Sequence, residues 1–273
     1  MRFAAIALVT LCAGIAAGCD GNSSESQPTT TETAPQVDGT MRGAVYLLRD
    51  GKVAPVERTI PFTPDPERAA LLRLLDGPTD EESAEGLSTE IPTGTELLDF
   101  TLDDGVATVD LDGSFVETAT NDSTAGRVAQ VVATLTRYRT VDRVAFEVDG
   151  EPMESIGDVD VAPPIGRVAI EDQTPQILVE SPLPGDALQS PVRLRGTANV
   201  FEATVSIEVR DESGEVVLET FTTATSGTGT RGTFAKELSL PDTSGKATIV
   251  AFEASAEDGR PLHVVEVPVT LTR

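Results

Sequence analysis

The pattern of apolar and polar positions changes twice along the chain. Residues 3–15 form a continuous apolar run behind a single positive charge, Arg2. Residues 20–40 are rich in Ser, Thr, Pro and Gln, and Val37 is their one large apolar residue. Beyond residue 41, apolar residues recur with the periods of strands and helices. The pattern therefore predicts an apolar leader, a polar tether and a folded region, in that order.

Residues 41–160 contain several predicted strands. Two runs, GAVYLL at 43–48 and KVAPVERTI at 52–60, are separated by Arg-Asp-Gly, which predicts two strands joined by a tight turn. Apolar and polar residues alternate around the Asp-Gly pair at 104–105, a strong signal for a hairpin. Residues 141–150 are expected to form the closing strand of this region.

Two helices are predicted in the same region. Asp65 suits an N-cap, Pro66 suits the first helical position, and Gly77 ends the helix. The second helix begins at about Ser123, and its apolar residues recur at i, i+3, i+4 and i+7. These residues are Val128, Val131, Val132 and Leu135. Since helices with one apolar face pack on sheets, residues 41–160 are predicted to form an α+β domain with two helices on a small sheet.

Helical periodicity is absent from residues 164–273. Seven short alternating runs replace it, at 176–181, 190–196, 203–211, 215–223, 232–240, 246–255 and 262–271. Gly, Pro, Asp and Ser separate the runs. Strands at this spacing predict an all-β sandwich of immunoglobulin type.

The composition argues against some classes of partner and some kinds of site. The chain has 45 acidic and 20 basic residues, a formal net charge of −25, which disfavours nucleic acid as a partner. It has two Cys, one His and no Trp, so neither a disulfide framework nor a His-rich metal site is available. We therefore expect no cofactor and no bound metal.

The apolar leader ends in Ala-Ala-Gly-Cys, residues 16–19, which resembles a bacterial lipobox. The leader is too short to span a bilayer, so residues 1–18 are predicted to be a signal peptide. The resemblance implies cleavage before Cys19 and a diacylglycerol thioether on its sulfur. Residues 19–40 would then tether the protein to the outer face of the cytoplasmic membrane. The alternative is ordinary cleavage that leaves Cys19 as a free thiol.

Longer stretches resemble two known families. VYLLRDGKVAPVERTIP, AALLRLLDGPTDEE, GVATVDLDGSF and RVAQVVATLTRY lie in order within residues 43–150, which resemble the GerMN domain of sporulation and germination proteins. Residues 176–271 resemble the immunoglobulin-like module that accompanies GerMN domains. The resemblance implies a non-enzymatic role in assembly or binding at the cell envelope.

Three residues of the folded region are candidate interaction sites. Arg58 and Gln130 match positions of the GerMN pattern, and they form either a buried polar pair that holds helix to sheet or a contact for a small ligand or glycan. Phe201 lies between two predicted strands of the second domain. It either caps the sandwich core or is an exposed partner contact.

Other motifs are interpreted as structural. Asp110 and Asp112 superficially match a calcium loop, but Ala119 occupies the position that requires a Glu ligand. His263 lies in the predicted last strand and is interpreted as a histidine on the strand face. No Gly-x-Ser-x-Gly elbow is present, so no catalytic residues are predicted.

The sequence thus predicts a non-enzymatic envelope lipoprotein. It would act as a binding or scaffold module at the outer face of the cytoplasmic membrane, in sporulation, germination or cell-wall processes. Its partner would be an envelope protein or a cell-wall glycan. Two alternatives stay open: a lipoprotein that modulates a membrane signalling protein, and a peptidoglycan-active hydrolase.

Overall fold

The computed structural model describes residues 39–117, 121–240 and 244–273. The predicted signal peptide, Cys19 and nearly all of the tether lie outside the described residues. In chain order the strands are β1 Thr40–Arg49, β2 Lys52–Pro61, β3 Leu87–Ser88, β4 Leu97–Asp103, β5 Val106–Leu111, β6 Arg143–Val148, β7 Glu151–Pro152, β8 Ser155–Ile156, β9 Val159–Asp160, β10 Ile177–Ser181, β11 Ala187–Gln189, β12 Val192–Ala198, β13 Thr204–Asp211, β14 Val216–Thr223, β15 Gly232–Leu238, β16 Gly245–Ala254 and β17 Pro261–Thr272. The α-helices are α1 Pro66–Leu75, α2 Asp80–Ala84 and α3 Asn121–Leu135. Short 3₁₀ helices span Gly113–Phe115, Arg167–Gln173 and Phe201–Ala203. No helix of this described part is long and apolar enough to cross a membrane.

The first two strands form the predicted hairpin. β1 and β2 pair antiparallel along their whole length, from Arg49 opposite Lys52 at the turn to Thr40 opposite Pro61. The two turn residues, Asp50 and Gly51, both have positive φ, at 52° and 73°. Positive φ at both positions is the geometry of a type I′ turn, which Asp-Gly favours.

The first domain has two main sheets rather than the one small sheet that was predicted. β2, β1 and β3 form one sheet, and β4, β5, β6 and β7 form a second sheet. Helix α3 packs against β1 and β2 of the first sheet and against β6 of the second. The prediction of two helices on one small sheet is therefore too simple, because the chain forms two sheets and a third, five-residue helix, α2.

The predicted apolar stripe of α3 is buried, but the burial extends beyond the stripe. Every residue from 128 to 135 is buried, including the polar Gln130 and Thr134. A helix that is apolar on one stripe only would leave its other faces in water. Here those faces meet neighbouring elements, which explains why polar side chains on α3 need hydrogen-bond partners inside the protein.

The second domain is an immunoglobulin-like β-sandwich. One sheet has the order β10-β12-β15, and the other has the order β11-β17-β16-β13-β14. All seven predicted strands are confirmed, and β11 is an additional strand that pairs parallel with β17. Side chains of both sheets meet in one core, which includes Val205, Ile207, Val209 and Ile249.

The two cores meet at strand β10. Ile177 and Val179 belong to the core of the sandwich, whereas Leu178, between them, belongs to the core of the first domain. Alternate residues of a strand point to opposite faces, so one strand contributes to both cores. Val161 and Ile170 also belong to the first core, which therefore extends past residue 160, the predicted end of the first domain.

Candidate functional site

Arg58 holds the loop between α1 and α2 against strand β2. Its guanidinium forms an ion pair with Glu82, with Nη2 2.8 Å from Oε2, and donates to the carbonyl of Gly77 at 3.3 Å. Glu82 also accepts from the backbone N–H of Thr79 at 2.8 Å, which completes a capping box at the start of α2. Burial acts to raise the pKa of Glu82, but the hydrogen bonds from Arg58 and Thr79 outweigh it and lower the pKa. The side chain of Arg58 is thus occupied by contacts within the first domain.

Gln130 ties α3 to the first sheet. Its amide nitrogen donates to the carbonyl of Tyr46 at 3.2 Å, and its amide oxygen accepts from the N–H of Glu90 at 3.0 Å and from Thr89 at 3.2 Å. The residue is fully buried. Arg58 and Gln130 bind different partners, so they are not a pair, and each fastens a helix or its adjoining loop to a sheet.

Phe201 is exposed, so the interpretation that it caps the sandwich core is wrong. Half of its surface, 50%, is accessible to solvent, whereas the preceding Val200 is 2% exposed and lies in the core. Glu202 and Ala203 both have positive φ, which turns the chain sharply after Val200. The smaller residue therefore occupies the core position and the aromatic ring remains at the surface.

A partly buried polar cluster around Tyr46 joins the two domains. The phenolic oxygen of Tyr46 on β1 donates to Oε1 of Glu180 on β10 at 2.8 Å. Nη1 of Arg167 lies 3.0 Å from the same carboxylate oxygen, and its guanidinium stands over the Tyr46 ring at 5.1 Å from the centroid. Tyr46 is fully buried, and this burial raises the pKa of its phenol despite the opposing charge of Arg167.

Further contacts across the domains surround this cluster. Nη1 of Arg137 on the first domain donates to the carbonyl of Glu180 at 3.1 Å. Arg42 forms ion pairs with Glu57 on β2 and with Asp186 in the second domain. Because a strand, a helix end and a loop all contribute, the two domains are held in one arrangement by several independent contacts.

A groove with a volume of about 1050 Å³ lies between the two domains. The first domain lines it with β2, from Lys52 to Glu57, and with α2 and the residues beside it. The second domain lines it with β17, from Val264 to Thr270, and with the start of β16. Ligand sites occur preferentially at domain interfaces, which makes this groove the candidate functional site.

The remaining polar candidates have structural partners. Oδ1 of Asp110 accepts from the N–H of Gly150 at 3.0 Å, and Asp112 caps the following 3₁₀ helix and accepts from the N–H of Glu96 at 2.8 Å. His263 lies on β17, where its Nε2 is 3.6 Å from a carboxylate oxygen of Glu253. Within the described ranges, no group of three or more His, Cys, Asp or Glu side chains is placed to hold a metal ion.

Sequence reasoning missed the groove and the Tyr46 cluster. Tyr46 lies within an apolar strand and Glu180 within an alternating one, and neither pattern marks a polar contact between distant residues. The Arg58 and Gln130 positions were found because they match a family pattern, and neither residue is part of the Tyr46 cluster.

Family comparisons match both domains. Residues 44–154 match the family model described as sporulation and spore germination. Residues 176–260 match the model of the immunoglobulin-like domain of bacterial spore germination. No curated protein matches the chain significantly.

Parts of the chain are also similar to solved structures. The first GerMN domain of the sporulation protein GerM from Bacillus subtilis is 23% identical, with a TM-score of 0.39, over 47% of this chain and 99% of that domain. The tandem GerMN domains of the same protein are 14% identical, with a TM-score of 0.41, over 74% of this chain and 62% of theirs.

Proposed function

We propose that this chain, which carries a sporulation and spore germination domain followed by an immunoglobulin-like domain of bacterial spore germination, is a non-catalytic binding protein of the cell envelope. It is anchored through a lipid on Cys19 at the outer face of the cytoplasmic membrane. Its two domains act together as a scaffold that presents the groove between them to a partner.

The joint between the domains is the observation that carries this proposal. The buried Tyr46 and the partly buried Arg167 and Glu180 form a polar cluster across the boundary, and Leu178 of the second domain belongs to the first core. A flexible linker would have sufficed to connect two independent domains. A fixed joint instead preserves a surface that both domains build, which is what a composite binding site requires.

The polar candidates that match the family pattern support a structural role for themselves rather than a catalytic one. A general acid or base has to reach a substrate proton, so it has to face an open site. Arg58 and Gln130 are engaged with backbone and side-chain partners of the fold instead. Tyr46 is fully buried at the joint, away from solvent.

Fatty-acid labelling tests the anchor. We expect wild-type cells fed a labelled fatty acid to yield labelled protein in the membrane fraction. Cys19→Ala should remove the label and leave the signal peptide uncleaved at residue 19. Cys12→Ala is the matched control, because Cys12 lies within the predicted signal peptide and is lost with it. Label on the Cys19→Ala protein would contradict the anchor.

A cell-wall assay tests the absence of catalysis. Purified full-length protein in detergent is incubated with peptidoglycan, with and without divalent metal ions. We expect no release of soluble muropeptides in either condition. Release that exceeds a boiled sample would show hydrolase activity and contradict the proposed role.

A further inference from the structure

The groove between the domains has an apolar floor. Apolar residues of four strands line it. Val53, Leu87, Ile177 and Val267 are already buried in the two cores, whereas Val56 is partly exposed and Val264 is 48% exposed. Covering the exposed side chains of Val56 and Val264 with apolar side chains of a partner would remove them from water, which favours binding.

The rim of the groove is strongly acidic. Its carboxylates include Asp50, Glu81, Glu85, Asp211, Glu212 and Glu266, all outside the ion pairs of the described residues. The basic residues of the lining are Arg49, Lys52 and Lys246. Complementary charge attracts a basic partner and disfavours an acidic one. A second copy of this chain, with its net charge of −25, would be repelled.

Two strand edges form the long walls of the groove. β2 is the outer strand of its sheet. The edge of β17 pairs with β11 from Thr270 to Thr272, and Gly185 and Asp186 form backbone hydrogen bonds with Pro268 and Thr270, so the part of this edge outside these contacts in the groove is residues 264–267. Consecutive residues of both strands line the groove, 52–57 on one side and 264–270 on the other, so backbone atoms contribute to both walls. Edge strands bind extended segments through main-chain hydrogen bonds. Pro55 lacks an N–H, which limits such pairing along β2 to short stretches.

We propose that this groove binds an extended, basic segment of a partner protein. Apolar side chains of the segment cover the floor, and its Lys or Arg side chains meet the carboxylates of the rim. The inference rests on the binding role proposed above, and it adds the place and the chemistry of the partner.

A defined peptide tests the chemistry of the occupant. The probe is a fluorescein-labelled nonapeptide of alternating Lys and Val, titrated with the full-length protein in non-ionic detergent and followed by fluorescence anisotropy. We expect saturable binding that weakens as salt is added. A Lys-Ser peptide of equal charge should bind about tenfold more weakly because it lacks apolar side chains. A Glu-Val peptide should not bind.

Variants that remove carboxylates test whether the peptide binds in the groove. Replacing the exposed Glu81, Glu212 and Glu266 together by Gln should weaken binding of the Lys-Val peptide about tenfold. The matched control replaces three exposed glutamates outside the groove by Gln. These are Glu151, Glu219 and Glu237. The control should bind as the wild type does, and equal thermal unfolding midpoints of all three proteins would show that folding is unchanged.

A second pair of variants tests the apolar floor. Val264→Ser in the groove should weaken binding of the Lys-Val peptide, whereas Val217→Ser, 40% exposed on β14, should not. Equal weakening by the groove and control charge variants would show diffuse attraction and overturn the inference. Undetectable binding of the Lys-Val peptide, or equal binding of the Lys-Ser peptide, would overturn it as well.

The two proposals fail separately. A protein that carries the lipid and releases no muropeptides, yet does not bind the peptide in the groove, keeps its proposed function and loses only this site. A protein that releases muropeptides loses the proposed function, whatever the peptide does.

Discussion

The phenol of Tyr46 in the first domain donates a 2.8 Å hydrogen bond to the carboxylate of Glu180 in the second. Arg167, in the segment that connects the domains, is within 3.0 Å of the same carboxylate oxygen. The negative charge of Glu180 therefore has two donors, one of which is fully buried. Such charge-assisted hydrogen bonds are stronger than neutral ones, and they fix the angle between the domains.

Replacing Tyr46 by Phe should weaken this joint. The ring stays in place, but Glu180 loses a donor, so we expect the free energy of unfolding to fall by about 2 kcal/mol. Urea denaturation of the full-length protein measures this change. Tyr138→Phe is the control, and it should change the free energy of unfolding by less than about 0.5 kcal/mol. An unchanged midpoint for Tyr46→Phe would mean that the bond does not stabilise the joint.

The buried phenol of Tyr46 should make the stability of the protein fall at alkaline pH. Burial raises the pKa of Tyr46 in the folded protein above its ordinary value of 10.0. The unfolded chain therefore loses this proton first, and the contribution to stability is full below pH 10 and is lost as the pH rises further. Above pH 10, the free energy of unfolding should fall more steeply in the wild type than in Tyr46→Phe. Parallel curves would contradict the assignment.

Replacing Arg58 distinguishes a structural role of its side chain from a ligand contact. Arg58→Met leaves Glu82 without its ion-pair partner, so we expect the free energy of unfolding to fall by about 2 kcal/mol near neutral pH. Arg73→Met is the control, because Arg73 pairs with Asp76 on the exposed surface of α1, and it should cost less than about 0.5 kcal/mol. Wild-type stability of Arg58→Met, combined with loss of function, would favour the ligand contact instead.

Acid pH should reduce the effect of Arg58→Met. The folded-state pKa of Glu82 lies below its ordinary value of 4.5, so its contribution is present above pH 4.5 and is lost as the pH falls through the folded-state pKa. The difference in stability between the wild type and Arg58→Met should therefore shrink below pH 4.5. Urea denaturation of both proteins at a series of pH values measures this difference in stability.

Much of the fold follows from local patterns. The strands of the sandwich alternate strongly, so each of the seven was predictable, and Asp104-Gly105 places the β4–β5 hairpin. The buried stripe of α3 was predictable for the same reason. Strands of two or three residues, such as β3 and β11, are too short to show a period, so no sequence pattern could reveal them.

The candidate site could not be predicted in the same way. The groove is built from segments that are far apart in the sequence, such as 52–57 and 264–270, and no local pattern brings them together. Alternation along β10 shows that Leu178 points to the opposite face from its neighbours. It does not show that this face meets the core of the first domain. The sequence left burial and exposure of Phe201 open, because the backbone turn after Val200 decides which residue enters the core.

The boundary of the first domain gives a further prediction. We compare fragments 41–160 and 41–175, because Val161 and Ile170 are 2% exposed in the first core. Burying two such side chains contributes about 3 kcal/mol or more, so the longer fragment should unfold at a higher urea concentration. Independent folding of the domains stays a prediction. Equal midpoints for the two fragments would show that residues 161–175 add nothing to the first core.

Photocrosslinking in intact cells is the most direct test of the binding role and its groove. A photoreactive phenylalanine derivative replaces Val264 in the groove or, as a control, Val168, which is 91% exposed and lies outside it. Mass spectrometry identifies the attached peptides, with and without the Glu212→Gln and Glu266→Gln changes. We predict adducts from position 264 alone, on peptides rich in Lys or Arg, and their loss when the two carboxylates are removed. Equal adducts from position 168, or acidic peptides attached at position 264, would contradict the account.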